Sequence, residues 1–284
     1  MKAMVCRRWR LIALILTAIG VALLWHMFTL ATSDPVVRSE TVAVDDPHGQ
    51  LDRPIRLALI SDIHVSGPDM PPERLARIVA SVNAQKPDLI VLAGDYLGND
   101  KPFGKRYPVS EAIAPFAGLR APMGVLAVLG NHDYWNGAGP AVKRALRASG
   151  VTLLENRAVR RGPLAIGGVD DLINGKPDVS GTIKRAHALG GIPIIVAHEP
   201  DIFVIRRDFK PLMLVGHTHC GQVSLPWVGP LWLPSKVGAA YPCGRYDENG
   251  RTLIVTGGVG TSGLPIRLSV SPEFSIITLV PAAP

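Results

Sequence analysis

Five short apolar runs in this chain each end on a polar cluster, and that repeated junction restricts the folds open to it. "LALIS" runs into Asp62-Ile63-His64, "LIVLAG" into Asp95, "VLAVLG" into Asn131-His132-Asp133, "PIIVA" into His198, and "LMLVG" into His217-Thr218-His219. A short continuous apolar run reads as a strand buried on both faces. Helical patterns lie between the runs. In "PPERLARIVASVNAQ", Leu75, Ile78, Val79 and Val82 fall at i, i+3, i+4 and i+7 behind prolines suited to a helix start. Further helices are expected around residues 110–119, 141–149 and 182–189, and further strands at "TLLEN", "PLAIGGV" and "PLMLVGH". Such alternation implies an α/β fold whose parallel strands are joined by right-handed crossovers. Beyond Gly221 the helices stop, and "TLIVTGG" and "FSIITLV" predict added β structure between Gly- and Pro-rich turns.

In parallel α/β sheets the C-terminal strand ends share the edge at which ligands bind, so the five clusters are expected to converge in space. Taken singly each is ambiguous: Asp-x-His is common, Gly-Asp is an ordinary turn, and Asn-His-Asp can cap a helix. All five behind five apolar runs, with Gly94, Gly130 and Gly216 just before three of them to relieve tight turns, point jointly to a metal site. In an extended segment His217 and His219 face the same side. Carboxylate, amide and imidazole without thiolate suit borderline or hard divalent ions such as Mn, Fe or Zn.

The N-terminus differs from the rest. Lys2, Arg7, Arg8 and Arg10 precede "LIALILTAIGVALLWHMFTLA", a run of about twenty residues, long enough to cross a bilayer. A cleaved signal peptide shares these features, and the length of the run favours an uncleaved anchor. The basic residues precede the run and the next one after it is Arg38, so the N-terminus is expected inside and the remainder outside the inner membrane, on the periplasmic side. The formal charge is +7, but the four basic residues just named account for more than half of it. No basic stripe interleaved with aromatics remains, which argues against a nucleic-acid partner. The expected division is an anchor at residues 1–31, a linker rich in Asp, Ser and Pro at 32–54, and a catalytic domain at 55–284. Gly20 alone gives no helix-dimerisation pattern, so the oligomeric state is open.

The five clusters, read in order as D-x-H, G-D, G-N-H-D, H and G-H-x-H, resemble the pattern of the calcineurin-like metallophosphoesterases, from about Leu57 to the end of the chain. The resemblance implies a four-layer α/β/β/α sandwich of two mixed sheets, preceded here by one transmembrane helix. It also implies two divalent ions (Mn, Zn or Fe). One would be held by Asp62, His64, Asp95 and His219, the other by Asp95, Asn131, His198 and His217, with Asp95 bridging. His132 would stabilise the transition state or protonate the leaving oxygen, with Asp133 orienting its ring. "GHTHCGQVSLP", "YPCGRY" and "GGVGTSGLPIRLSVSPE" further resemble the membrane-anchored bacterial branch of that family. Cys220 stands where that branch is expected to have glycine; it is read first as a tolerated small residue, then as a partner of Cys243 or a soft ligand. Tyr241, Arg245, Tyr246 and Arg267 can contact a phosphate, with surface salt bridging an equally good account. His26, His48 and His187 are read as structural or solvated.

The function implied is a dinuclear-metal phosphodiesterase or pyrophosphohydrolase at the cell envelope. Its substrate would be a small phosphoester or a lipid, including a UDP-diacylglucosamine-like one as in lipid A synthesis. The alternatives are a phosphodiesterase of wall polymers or headgroups outside the membrane, a protein phosphatase, and a non-catalytic scaffold. The scaffold reading predicts missing ligand positions, and here every one is filled.

Overall fold

The computed structural model describes residues 2–46, 48–98, 101, 104–205 and 212–282. In chain order the helices are α1 (Lys2–Ala31), α2 (Pro72–Ala84), α3 (Val109–Ile113), α4 (Gly139–Ala148), α5 (Val179–Ala188) and α6 (Asp201–Ile205). The strands are β1 (Val36–Val44), β2 (Ile55–Ile60), β3 (Leu89–Ala93), β4 (Val125–Val128), β5 (Thr152–Leu153), β6 (Arg157–Arg161) and β7 (Leu164–Gly168). They continue with β8 (Ile192–Val196), β9 (Leu212–Val215), β10 (Ser224–Leu225), β11 (Gly229–Pro230), β12 (Gly244–Glu248), β13 (Arg251–Val255) and β14 (Glu273–Pro281). The strand expected to include Pro211 is seen from Leu212, Pro211 itself lying outside the described residues.

Two six-stranded mixed sheets result, ordered β1-β14-β2-β3-β4-β5 and β12-β13-β9-β8-β7-β6. Their apolar faces meet: Leu57, Leu59, Val91 and Val128 of the first sheet share one core with Ile166, Ile194, Val196 and Leu214 of the second. The far face of the first sheet, including Ile60, Ile90 and Leu92, packs on the stripe of α2 and on Val142 and Leu146 of α4. The far face of the second, including Ile195, Met213 and Val215, packs on Ile183 of α5 and on Ile202 and Phe203 of α6. The central strands β2, β3, β4, β7, β8 and β9 are buried on both faces because helices cover what the other sheet does not. The layers are therefore α/β/β/α.

Two expectations change. Residues 36–44, read as part of a linker, form β1, which runs parallel to β14 from Val36↔Glu273 to Val44↔Pro281. Only Val42 and Val44 of that strand are buried, as befits an edge whose outer side meets water. The helix expected at 110–119 is an α-helical turn, α3, continued by a 3₁₀ helix at Ala114–Gly118, where Pro115 cannot donate the backbone bond a longer α-helix needs.

The α1 residues Cys6–Ala31 have a mean hydropathy of 2.3 and project from the domain almost wholly exposed. Only its last turns dock, where Met27 and Ala31 are buried, the Met27 carbonyl accepts the Arg267 N–H at 3.0 Å, and the Ser33 carbonyl accepts from Arg74 at 2.8 Å. By length and composition α1 can anchor the chain in a membrane.

Candidate metal centre

The loops after β2, β3, β4, β8 and β9 bring the five clusters to one place. One ligand atom from each of Asp62, His64 and His219 lies within 4.8 Å of the others, as do those of His64, Asp95 and His132, and those of Asp95, His198 and His217. All are buried. Asp95 and His64 belong to two groups each, which makes the three groups one continuous centre.

The backbone shapes this convergence. Asp62 (φ 54°), His64 (φ 51°), Asp95 (φ 58°), His217 (φ 72°) and His219 (φ 52°) are all left-handed, so each strand end turns sharply and aims its side chain inward. The three glycines act in two different ways. Gly94 (φ +92°) needs the glycine conformation itself, whereas Gly130 and Gly216 are required for closeness. A Cβ on Gly130 would stand 2.3 Å from Asp95 Oδ1, and one on Gly216 would stand 1.9 Å from Ser61 Oγ and 2.5 Å from Asp62 Oδ2. The glycine-rich stretch near the C-terminus serves the same end. Gly260 donates its N–H to the Asp62 carbonyl at 2.8 Å, and a Cβ on Gly258 would meet Asp62 Cβ at 2.5 Å.

Hydrogen bonds leave the inward-facing atoms bare. Asp95 Oδ1 accepts the His132 N–H at 2.9 Å, and Asp62 accepts the His217 N–H at 2.9 Å. The His198 Nδ1 lies 2.7 Å from the Ala93 carbonyl oxygen, so Nδ1 carries a proton and Nε2 is the nitrogen turned toward the centre. That nitrogen faces Asp95 Oδ2 at 3.1 Å and His217 Nδ1 at 3.1 Å. His64 Nε2 likewise faces His219 Nε2 at 3.1 Å and Asp95 Oδ2 at 3.5 Å. Among the described residues the buried Asn131 Oδ1 has no hydrogen-bond partner.

Electrostatics agree with a cation. Burial holds His64 and His219 well below the ordinary imidazole value and brings His217 down to about 3, so these rings are neutral and their lone pairs are available. Burial also opposes charge on His198, yet the Asp95 charge and hydrogen bond lift it well above that value. Burial disfavours the Asp95 anion too, and the charge of His198 more than reverses this, holding its carboxyl well below the usual range. Positive charge is therefore demanded between Asp95 and His198, and a divalent ion meets that demand for the whole donor set.

Asp133 does not do what was expected of it. Its Oδ2 accepts the N–H groups of Asp95 and Gly130, both at 2.9 Å, and its Oδ1 accepts those of Tyr96 at 2.8 Å and Leu97 at 3.3 Å. Four donors from two loops occupy both oxygens, and Asp133 ties the β3 loop to the β4 loop rather than orienting the His132 ring. The ring of His132 is instead stacked on Trp135, with centroids 4.0 Å apart, and meets His64 edge-on at 4.6 Å. Among the described residues its buried Nδ1 has no partner. Trp135 was missed because nothing in "NHDYWN" marks the kink at Trp135 and Asn136 that folds the indole back over the histidine.

Cys220 and Cys243 form a disulfide, with Cα atoms 5.0 Å apart, which corrects the reading of Cys220 as an unpaired small residue. The loop geometry explains the pairing: Thr218 Oγ1 donates to the Pro242 carbonyl and holds the two segments side by side. Arg267 is fully buried and donates to the carbonyls of Gly257, Gly258 and Gly260, so it braces the loop beneath Asp62 instead of facing a phosphate. Arg245 pairs with Asp247 and Tyr241 with Glu248, both at or beside the β12 edge.

The calcineurin-like phosphoesterase family model matches residues 55–221, a span that contains every residue of this centre. YkuE, an uncharacterized metallophosphoesterase of Bacillus subtilis strain 168, is 34% identical over 89% of this chain and 86% of its own length. An uncharacterized metallophosphoesterase of Helicobacter pylori strain J99 is 28% identical over 90% of this chain and 67% of its own length. A zebrafish protein named as a transmembrane protein with metallophosphoesterase domain is 28% identical over 96% of this chain and 63% of its own length.

Proposed function

This chain belongs to the calcineurin-like phosphoesterases, hydrolases that use divalent metals, and from that premise we propose that it is a membrane-anchored, two-metal phosphodiesterase acting at the outer face of the membrane. In this reading Asp62, His64, Asp95 and His219 hold one ion, and Asp95, Asn131, His198 and His217 hold the other, with Asp95 bridging. The observation that carries it is the convergence of buried imidazoles on the Asp95 carboxylate. Its Oδ2 lies 3.1 Å from His198 Nε2 and 3.5 Å from His64 Nε2, and His198 Nε2 lies 3.1 Å from His217 Nδ1, a buried set of donors that a divalent cation can join.

When bound, the ions, of Mn, Zn or Fe by donor chemistry, supply positive charge to phosphate oxygens and acidify water at neutral pH. The remaining work falls to the chain. Burial holds the His132 imidazole below its ordinary value and therefore neutral, and the ring stands in the centre beside His64 and Asp95. Trp135 fixes the plane of the ring, so His132 can donate a hydrogen bond to a phosphate or leaving-group oxygen without reorganising.

The proposed organisation is an anchor at residues 1–31 and a catalytic unit that begins at β1. Charge before α1 places the N-terminus inside, and the Cys220–Cys243 disulfide suits an oxidising compartment outside. The name of the zebrafish relative supports an anchored form. An outer site favours a phosphodiester of lipid headgroups or wall polymers over a UDP-diacylglucosamine-like substrate, because the latter is a nucleotide lipid made inside the cell.

The test uses the full chain in detergent, stripped with chelator and reloaded with Mn, Zn, Fe or Mg. Bis-p-nitrophenyl phosphate, p-nitrophenyl phosphate and UDP-diacylglucosamine are assayed in parallel with Asp95→Ala and His132→Ala. Metal-dependent diester cleavage is expected, with a loss of about a hundredfold or more in His132→Ala. A chain that binds two ions and cleaves none of the three would sink the proposal.

A further inference from the structure

The loop that carries His217 and His219 does not end at the metal centre. It continues through Gln222 and Val223 into the β10–β11 hairpin, whose strands pair antiparallel at Ser224↔Pro230 and Leu225↔Gly229. The sequence across it, "VSLPWVGPLWLP", holds no charged residue. Its tip and exit are nonetheless in water: Trp227 is fully exposed, Val228 is 70% exposed and Trp232 is 66% exposed, with Leu231 and Leu264 beside them. A soluble surface rarely carries so much contiguous apolar area without a partner.

The fold says what that partner is. Arg267 N–H donates to the carbonyl of Met27 at the end of α1, and the next residue, Leu268, donates to Gln222 and accepts from Ser224. The hairpin therefore springs from the backbone segment on which the anchor is docked. A bilayer that holds α1 must lie against this part of the domain. Pro226, Pro230 and Pro234 remove backbone donors from the hairpin, which makes it a poor template for strand addition by a protein partner. Tryptophan flanked by leucine, valine and proline is instead suited to the membrane interface.

Between the hairpin and residues 262–266 lies a cavity of about 190 Å³ with mainly carbon walls, lined by His219, Val223, Leu231, Trp232, Leu264 and Ile266. It is smaller than the sites that enclose whole small ligands. It suits one apolar segment, and His219 lines it and the metal centre alike. Resting on the phosphoesterase reading above, we infer that the β10–β11 hairpin is a second membrane contact beside α1. Through it the cavity opens to lipid and receives the proximal part of an acyl or isoprenoid chain whose phosphodiester lies at the metal centre. The substrate class is thus a membrane-embedded phosphodiester lipid.

The test reconstitutes the full chain in nanodiscs. In a Trp9→Phe, Trp25→Phe background, Trp135, Trp227 and Trp232 remain as emitters. Brominated phosphatidylcholine is expected to quench up to about two thirds of the emission, the share of two interfacial tryptophans among three, and the quenching should vanish when Trp227 and Trp232 are also replaced by Phe. In parallel, the tip variant Trp227→Ser, Val228→Ser should keep the turnover of bis-p-nitrophenyl phosphate and lose about tenfold on a phospholipid phosphodiester. Absence of quenching overturns the inference whatever the activity, as does an equal loss on both substrates. Quenching in a parent chain that cleaves neither substrate would instead refute the phosphoesterase reading and leave the membrane contact standing.

Discussion

Replacing Asp133 by Asn separates two accounts of one residue. The motif alone assigns Asp133 to the His132 ring, which predicts a catalytic defect in a stable protein. The structure has both carboxylate oxygens occupied by N–H groups of Gly130, Asp95, Tyr96 and Leu97. Whichever oxygen becomes the amide NH2, two of these donors lose their acceptor and face another donor. Burial pushes the Asp133 carboxyl up to about 7, so the comparison is made at about pH 8.5, where it is charged. Hydrogen bonds to a charged group contribute about 1.5–3 kcal/mol each, so the two losses amount to about 3–6 kcal/mol, a large part of a domain's usual stability. At about 2–4 °C per kcal/mol for a domain of this size, Tm should fall by about 6–24 °C. Differential scanning calorimetry of the chelator-treated chain reads this without a contribution from bound ions. A Tm within about 2 °C of the parent, together with a collapse in kcat, would refute the clamp and restore the ring-orienting role.

Three further outcomes follow from the same geometry. Gly216→Ala places a Cβ 2.5 Å from Asp62 Oδ2 and should displace that carboxylate enough to lower turnover by about a hundredfold; metal analysis should show substoichiometric loading, and full loading with parental turnover would contradict the close-approach argument. Cys243→Ser opens a disulfide spanning 23 positions and should cost about 3 kcal/mol in denaturant unfolding, with dithiothreitol giving the same loss in the parent and no further loss in the variant. Asp88 is held below the usual carboxylate range by its hydrogen bonds to Arg53. The unfolded chain therefore binds this proton more readily than the folded one, and the stabilisation is present above about pH 4 and is lost as pH falls through the folded-state value. Asp88→Asn should be less stable than the parent at pH 7 and converge with it in acid; a constant difference across the range would show that the charge is not what matters.

What the sequence made legible was whatever depends on residues near one another in the chain. The buried strands announced themselves as unbroken apolar runs, and the polar residues that end them converge because parallel strands share an edge. β1 was misread because "VVRSETVAV" buries little and finds its partner, β14, at the other end of the chain. The edge strands β6 and β12 escaped notice for a related reason: "RAVRR" and "GRYDE" are charged, as edges are, and carry no apolar run. The role of Asp133 was hidden more deeply, since its partners are backbone N–H groups, which every residue but proline possesses. Trp135 depended on a kink, and Arg267 on three carbonyls of a glycine-rich loop.

The left-handed residues show why the centre was readable as chemistry and not as shape. Asp62, His64, Asp95, His217, His219 and Cys220 all have positive φ, and such conformations cost roughly 1–3 kcal/mol each in residues other than glycine. Together they approach the whole stability of an ordinary domain, so the surrounding structure must impose them. The devices that do so are the Asp133 clamp, the close glycines at 130, 216, 258 and 260, the Arg267 brace and the Cys220–Cys243 disulfide. Each acts on the backbone beside a site residue and none needs to touch a metal or a substrate. The donors can thus be recognised by type and order, while the turns that aim them are set by residues whose identity reveals nothing about the chemistry they serve.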